Sequence, residues 1–357
     1  MPQTNGIPFR SADDYAEYLA ELGFTGASLS GGEPLLTFER TVEHLSAIRR
    51  RCGDSIHVWL YTNGTLLTPD KCRRLRDAGL DEIRIDIGAI RYNLKKVKVA
   101  VGEIPTVTVE IPAVPEDFAV MKDKLYEMAD SGVNYLNLHQ LRLTPHNFAK
   151  INGRGYTFIH GEKVTVMESE LTALCTVEYA LDQRIPLPVN YCSFPYKRRF
   201  QRAATRRRAA ILAANGHEDV TEMGFIRSLS FCGSKADLKG FLGENVKHEV
   251  DRSFQMTEQD GAEILFSSLF YPQLSGKEGL YSVTYYEAAL SANISNSGER
   301  VITLPSGTSI AVIRQPVYGP FNLGHEEVRA ILNGDELAMP GGLLDYEKIP
   351  TGLAEYF

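Results

Sequence analysis

Closely spaced cysteines, long apolar runs and low-complexity tracts are all missing from this 357-residue sequence. The five cysteines (Cys52, Cys72, Cys175, Cys192 and Cys232) are an odd, scattered set, which argues against a disulfide-stapled secreted fold and points to reduced thiols. No apolar run approaches the ~20 residues that cross a bilayer, and the opening MPQTNGIPFRSADD has no basic region followed by an apolar stretch. A cytoplasmic protein that makes no use of a membrane is therefore expected. Positive charge is not in excess either. The formal charge of -7 argues against a protein whose whole surface binds nucleic acid, although KRRFQRAATRRR, Lys197 to Arg208, concentrates seven bases in twelve residues and leaves a local anionic partner open.

What is present is a regular alternation. Short β-rich runs at 25–30, 57–63, 82–87, 106–112, 134–140 and 187–192 are separated by segments of helical period. Ser11 with Asp14 three residues later caps the start of a helix that Gly23 ends. Thr68 and Pro69 open another, stopped at Gly79, and Pro115 or Glu116 opens a third, stopped at Gly132. Most of these strand starts lie about 25 to 32 residues apart, as βα units require, since a parallel strand is reached only through a crossover. The fold class is α/β, with the sheet either a partial or complete (β/α) barrel or an open doubly wound sheet. In both, the ligand site lies at the carboxyl ends of the strands.

The rhythm changes after the basic segment, which itself is consistent with a helix. Residues 214–250 show little period, 262–318 hold β-like runs with LPSGTS as a hairpin turn, and a helix is expected near 324–333. The predicted organisation is a (β/α) core over residues 1–213 and a smaller α+β extension over 214–357, whose role the sequence leaves open.

At the strand ends the polar residues are Gly31, Gly32, Glu33, Asn63, Asp86, Glu110, Asn137 and His139. A glycine pair lets a ligand approach the main chain, the carboxylate after it can accept from an ammonium group, and Pro34 fixes the backbone where the next helix begins. His139 reads equally well as a hydrogen-bonded strand-end histidine.

SLSGGEPLL at 28–36, YTNGTLLT at 61–68 and LRDAGLDEIRIDI at 75–87 together resemble the core of the radical S-adenosylmethionine (radical SAM) superfamily. VEIPAVP at 109–115, NYLNLHQL at 134–141 and NYCSFPYK at 190–197 look like a branch related to pyruvate formate-lyase activating enzymes, so the likeness runs over about residues 8–205. It implies a partial (β/α) barrel in which Gly31, Gly32, Glu33 and Pro34 hold the methionyl group of SAM. By the same likeness Asn63, Asp86 and Glu110 lie near its ribose or carboxylate, and Asn137 and His139 near the adenine or the substrate. The activity implied is reductive cleavage of SAM to a 5′-deoxyadenosyl radical that abstracts hydrogen from a small-molecule or protein substrate. An electron donor such as flavodoxin or ferredoxin is implied with it.

One part of that pattern is absent. The superfamily holds a [4Fe-4S] cluster on a CxxxCxxC loop ahead of GGE, and residues 1–30 contain no cysteine. Cys192, with Cys175 and Cys232, is an alternative thiol set to test for metal. Three readings stay open: an enzyme whose cysteine loop lies upstream of the recorded start, a degenerate member without a cluster that acts as a binding or partner subunit, or another (βα) enzyme in which GGE is coincidental.

Overall fold

The β-rich runs and the capped helical segments become elements close to their expected bounds in a computed structural model, which describes residues 2–160, 163–234, 254–257, 262–294 and 300–350. Two compact units divide the chain, Phe9–Phe194 and Met1–Pro8 with Pro195–Phe357.

In the first unit, α1 (Ala12–Glu21) leads to β1 (Gly26–Leu29), α2 (Phe38–Cys52) to β2 (His57–Thr62), and α3 (Pro69–Asp77) to β3 (Glu82–Ile85). The short α4 (Lys95–Ala100) precedes β4 (Thr106–Pro112), α5 (Phe118–Asp130) precedes β5 (Tyr135–His139), and α6 (Met167–Asp182) precedes β6 (Val189–Cys192). The caps form as expected: Ser11 Oγ accepts from Asp14 N at 3.0 Å, and Thr68 Oγ1 from Lys71 N at 3.3 Å.

The six strands are all parallel and lie in the order β1 to β6, each beside the next in sequence. This order decides between the two α/β layouts. A doubly wound sheet reverses strand order at its centre, whereas sequential order with right-handed crossovers places every helix on one face, as in a partial (β/α) fold.

The pleat then assigns the side chains. Val58, Leu60, Ile83, Ile85, Val109 and Leu136 point to the helical face and are fully buried, each contributing about 2 kcal/mol by removal from water. Their strand neighbours point the other way and are polar or aromatic: His57, Trp59 and Tyr61 on β2, Glu82 and Arg84 on β3, Thr108 and Glu110 on β4, Asn137 on β5 and Asn190 on β6.

The second unit is an antiparallel sheet with flanking helices. Its strands are β7 (Asp219–Val220), β8 (Ile226–Gly233), β9 (Phe254–Thr257), β10 (Ala262–Phe266), β11 (Gly279–Ser291), β12 (Arg300–Thr303) and β13 (Ser309–Leu323). They run in the order β9-β10-β8-β11-β13-β12, with β7 on β8. The LPSGTS turn joins β12 to β13, and α8 (His325–Asn333) follows. Phe231, Phe266, Tyr281, Val283 and Ile331 form the core.

The basic segment is helical, a π-type turn over Lys197–Arg202 running into α7 (Ala203–Ala213). Ala209 and Ala210 of α7 pack on Ile226 and Ala288, which is why the compact unit begins at Pro195 and takes in the segment that the sequence had grouped with the core. Of the aperiodic stretch 214–250, residues 235–250 lie outside the described residues. No helix among the described residues is long and apolar enough to cross a membrane.

Candidate functional site

β1 stops at Leu29, and the chain turns through Gly31 and Gly32 at φ +98° and +74°. Both are exposed, and a Cβ on either would meet nothing within 4 Å. Glycine is thus required by backbone conformation, not by crowding, and the open space over the turn is room for a ligand at main-chain distance. Neither glycine makes a main-chain hydrogen bond among the described residues.

Glu33 follows in extended conformation and caps the turn Pro34–Thr37, with Pro34 buried in the first position. Its carboxylate is turned inward. Oε1 accepts from Leu35 N at 3.0 Å and from Thr62 Oγ1 at 2.8 Å, and Oε2 accepts from Asn63 N at 2.8 Å. A carboxylate has about four acceptor positions, so three are taken inside the protein and one on Oε2 is left for a ligand. This half-buried Glu33 is therefore a joint between the β1 and β2 loops as well as a candidate acceptor.

The other expected residues divide into two groups. Asn63 and Asp86 stand with the glycine turn at the carboxyl ends. Asn63 Oδ1 accepts from Thr65 N at 2.9 Å and Thr65 Oγ1 at 2.7 Å, which leaves its amide NH2 to point elsewhere. Asp86 N donates to Thr62 O at 3.0 Å, and its Oδ1 accepts from Gly88 N at 2.9 Å. Burial pushes the Asp86 carboxyl above its ordinary pKa, against the opposing N–H groups of Gly88 and Ala89.

Glu110 and Asn137 lie on the polar face within their strands, opposite each other in register. Glu110 accepts from Arg84 Nη1 at 3.0 Å, and Asn137 Oδ1 accepts from Asn190 Nδ2 at 2.6 Å. His139 ends β5 beside Cys192 of β6 and Pro112 of β4.

A charged network on that face was not among the expected residues. Arg84 donates through Nε to Glu82 Oε1 at 2.9 Å and through Nη1 to Glu110, and its guanidinium lies 5.0 Å from the Trp59 ring centroid and 5.6 Å from that of Tyr61. Glu82 also receives Thr108 Oγ1 at 2.6 Å and His57 Nε2 at 2.9 Å. Burial pushes the Glu82 carboxyl up, but the hydrogen bonds from Thr108, Arg84 and His57 outweigh it and hold it below the ordinary range. The signal was in the sequence: HVWLYT and EIRI alternate polar or aromatic residues with aliphatic ones. A parallel strand covered on both faces reads instead as an unbroken apolar run.

These residues meet one cofactor requirement and not the other. The open glycine turn and the remaining acceptor on Glu33 suit an amino-acid end such as the methionyl group of SAM. The iron–sulfur cluster does not fit: Cys192 is buried at the end of β6, Cys175 is exposed on α6, Cys232 is exposed on β8, and no three His, Cys, Asp or Glu among the described residues are placed to hold a metal ion. A depression of about 410 Å³ lined by Glu103, Ile104, Pro105 and Asn134 lies at the amino ends of the strands, away from the glycine turn.

A family model for the radical SAM superfamily matches residues 2–98. A protein of Methanocaldococcus jannaschii provisionally named a glycyl-radical enzyme activating enzyme is 28% identical over 238 residues, covering 63% of this chain and 62% of its own length. The GTP 3′,8-cyclase of Synechococcus sp. WH7803 is 43% identical over 75 residues, 19% of this chain and 22% of that protein. This chain thus spans less than two thirds of either relative. A dipeptide epimerase from Enterococcus faecalis V583 superposes with a TM-score of 0.32 at 13% identity, over 53% of this chain and 46% of its own, too loosely to bear on the fold. GGE thus lies inside the stretch that matches the radical SAM superfamily model, and the chain is similar to that superfamily and to its activating enzymes.

Proposed function

We propose that residues 26–192 are the SAM-holding part of a radical SAM-type enzyme. The observation that carries this reading is the glycine turn at the carboxyl edge of the sheet, exposed and tied through Glu33 to Thr62 and Asn63. In the superfamily, bound SAM is the source of a 5′-deoxyadenosyl radical, and a [4Fe-4S] cluster supplies the electron. The described residues of this chain do not fit that cluster.

The work of the present residues is binding and orientation. Gly31 and Gly32 bring main-chain groups to the ligand, and the remaining Oε2 acceptor of Glu33 takes one ammonium N–H. Asn63 and Asp86 face the ribose or carboxylate. Glu110, on the polar face of the sheet, goes with them, and Asn137 and His139 on the same face receive the adenine or the substrate. The relation to an activating enzyme favours catalysis over a cluster-less binding subunit and makes a protein the favoured substrate, with a redox protein such as flavodoxin or ferredoxin as donor. A cytoplasmic setting belongs to the same reading.

Equilibrium dialysis with labelled SAM tests it. The wild-type chain should bind, and Glu33→Ala should bind at least about tenfold more weakly, since it removes a charge-assisted acceptor. A folded wild-type chain that takes up no SAM, or a Glu33→Ala variant that binds equally well, overturns the assignment.

A further inference from the structure

The contact between the two loops runs through one hydroxyl. Thr62, the last residue of β2, is only 6% exposed, so it does not line the open space over the glycine turn. Its Oγ1 does two things at once: it donates to Glu33 Oε1 at 2.8 Å and accepts from Gly64 N at 3.0 Å. Its carbonyl accepts from Asp86 N at 3.0 Å. One buried side chain thus touches the joint of the β1 loop and sets the turn of the β2 loop, while its main chain anchors the start of the β3 loop.

We infer that Thr62 is the positioning residue of the SAM site. Its hydroxyl holds the Glu33 carboxylate inward, so the Gly31–Gly32 turn is presented in a single conformation. The argument is one of hydrogen-bond capacity. Gly31 and Gly32 have no main-chain hydrogen bonds of their own among the described residues to fix them, and their positive φ values are ones glycine leaves at little cost. What fixes the turn is its covalent link to Glu33, and Glu33 is held across the sheet by Thr62 Oγ1 and Asn63 N. A hydroxyl is required because it donates to a carboxylate on one side and accepts an N–H on the other. Valine, equal in shape, can do neither. The role in SAM binding rests on the reading given under Proposed function, whereas the coupling of the loops stands on geometry alone.

The experiment compares wild type, Thr62→Val and Thr62→Ser on the 357-residue chain, by amide hydrogen exchange over residues 30–36 and 61–66 and by SAM affinity. Thr62→Val should lose protection in both segments by about tenfold, the factor carried by one net hydrogen bond. It should also bind SAM about ten- to a hundredfold more weakly, the usual cost of removing a group that orients ligand-binding residues. Thr62→Ser, which keeps the oxygen, should restore both. If Thr62→Val does not fold, Thr62→Ala removes the same oxygen and is read in the same way. Unchanged exchange at the Leu35 and Leu36 amides, which donate to Glu33, when the oxygen is gone, or the same loss in Thr62→Ser, overturns the coupling. A wild-type chain that binds no SAM overturns the SAM reading, and exchange still decides the clasp.

Discussion

Burial raises two carboxyls in the sheet unit, and hydrogen bonding reverses the shift in only one of them. Asp86 is raised, so it holds its proton more tightly folded than unfolded. Its contribution favours the fold below the ordinary value of 3.8 and is lost as pH rises through the higher folded value. Asp86→Asn keeps the Oδ1 acceptor for Gly88 N and removes the buried charge. It should therefore unfold at a slightly higher temperature than wild type at pH 7, while binding SAM less well. Equal melting at pH 7 would show that burial of the charge is not costly there. Glu82 is lowered, so its contribution is present above the ordinary 4.5 and is lost as pH falls through the lower folded value. Glu82→Gln breaks a buried pair with Arg84 and should cost about 3 kcal/mol in urea unfolding at pH 7, with the gap to wild type narrowing in acid. A gap that is constant with pH would assign the loss to packing.

At the scale of elements, the strands and their caps were legible because β-branched runs at βα spacing have few alternatives, and Ser11, Thr68 and the helix-ending glycines are local chemistry. The site was legible only where it followed the strand ends. Glu33 shows the limit. Its sequence position gives the carboxylate, but whether that carboxylate faces the ligand or Thr62 depends on β1 and β2 lying side by side, a contact between residues 29 apart in sequence. The Arg84 network was hidden for a related reason: attention to strand ends passes over mid-strand residues, and only register brings Glu82, Arg84, Thr108 and Glu110 to one face. The β2–α3 turn is a further test of that packing. Gly64 sits at φ +73° with the position of a Cβ 3.1 Å from Ile85 Cγ2. Gly64→Ala should therefore destabilise the fold by about 1–3 kcal/mol in chemical denaturation. A neutral effect would mean that the turn can be rebuilt without touching β3.

For the whole molecule, two expectations concern partners. Anaerobic reconstitution with iron and sulfide should leave the 357-residue chain colourless, because its thiols are dispersed over α2, α3, α6, β6 and β8. A stable chromophore that responds to SAM would show that these thiols can be gathered. The basic segment, Lys197 to Arg208, leaves a local anionic partner open on its sequence. In the structure Arg199 is buried, and Arg206 donates to Met223 O at 2.9 Å with its guanidinium 4.5 Å from the Phe225 ring centroid. Fewer bases than the sequence offers are left for phosphates, and the net charge is -7. Association with tRNA at physiological salt should therefore be no tighter than the non-specific range, about 1 to 100 µM. A tighter complex whose affinity falls steeply with salt would restore the nucleic-acid reading. The sequential strand order has one more consequence. β1 is an outermost strand, and its far side has no strand partner among the described residues. An extended segment that docked there in the same direction would lie one inter-strand spacing, ~4.8 Å, from Gly26–Leu29. The residues leaving its carboxyl end would arrive beside Gly31 and Gly32, so the glycine turn sits at a border of the sheet that another stretch of polypeptide can extend by backbone pairing alone.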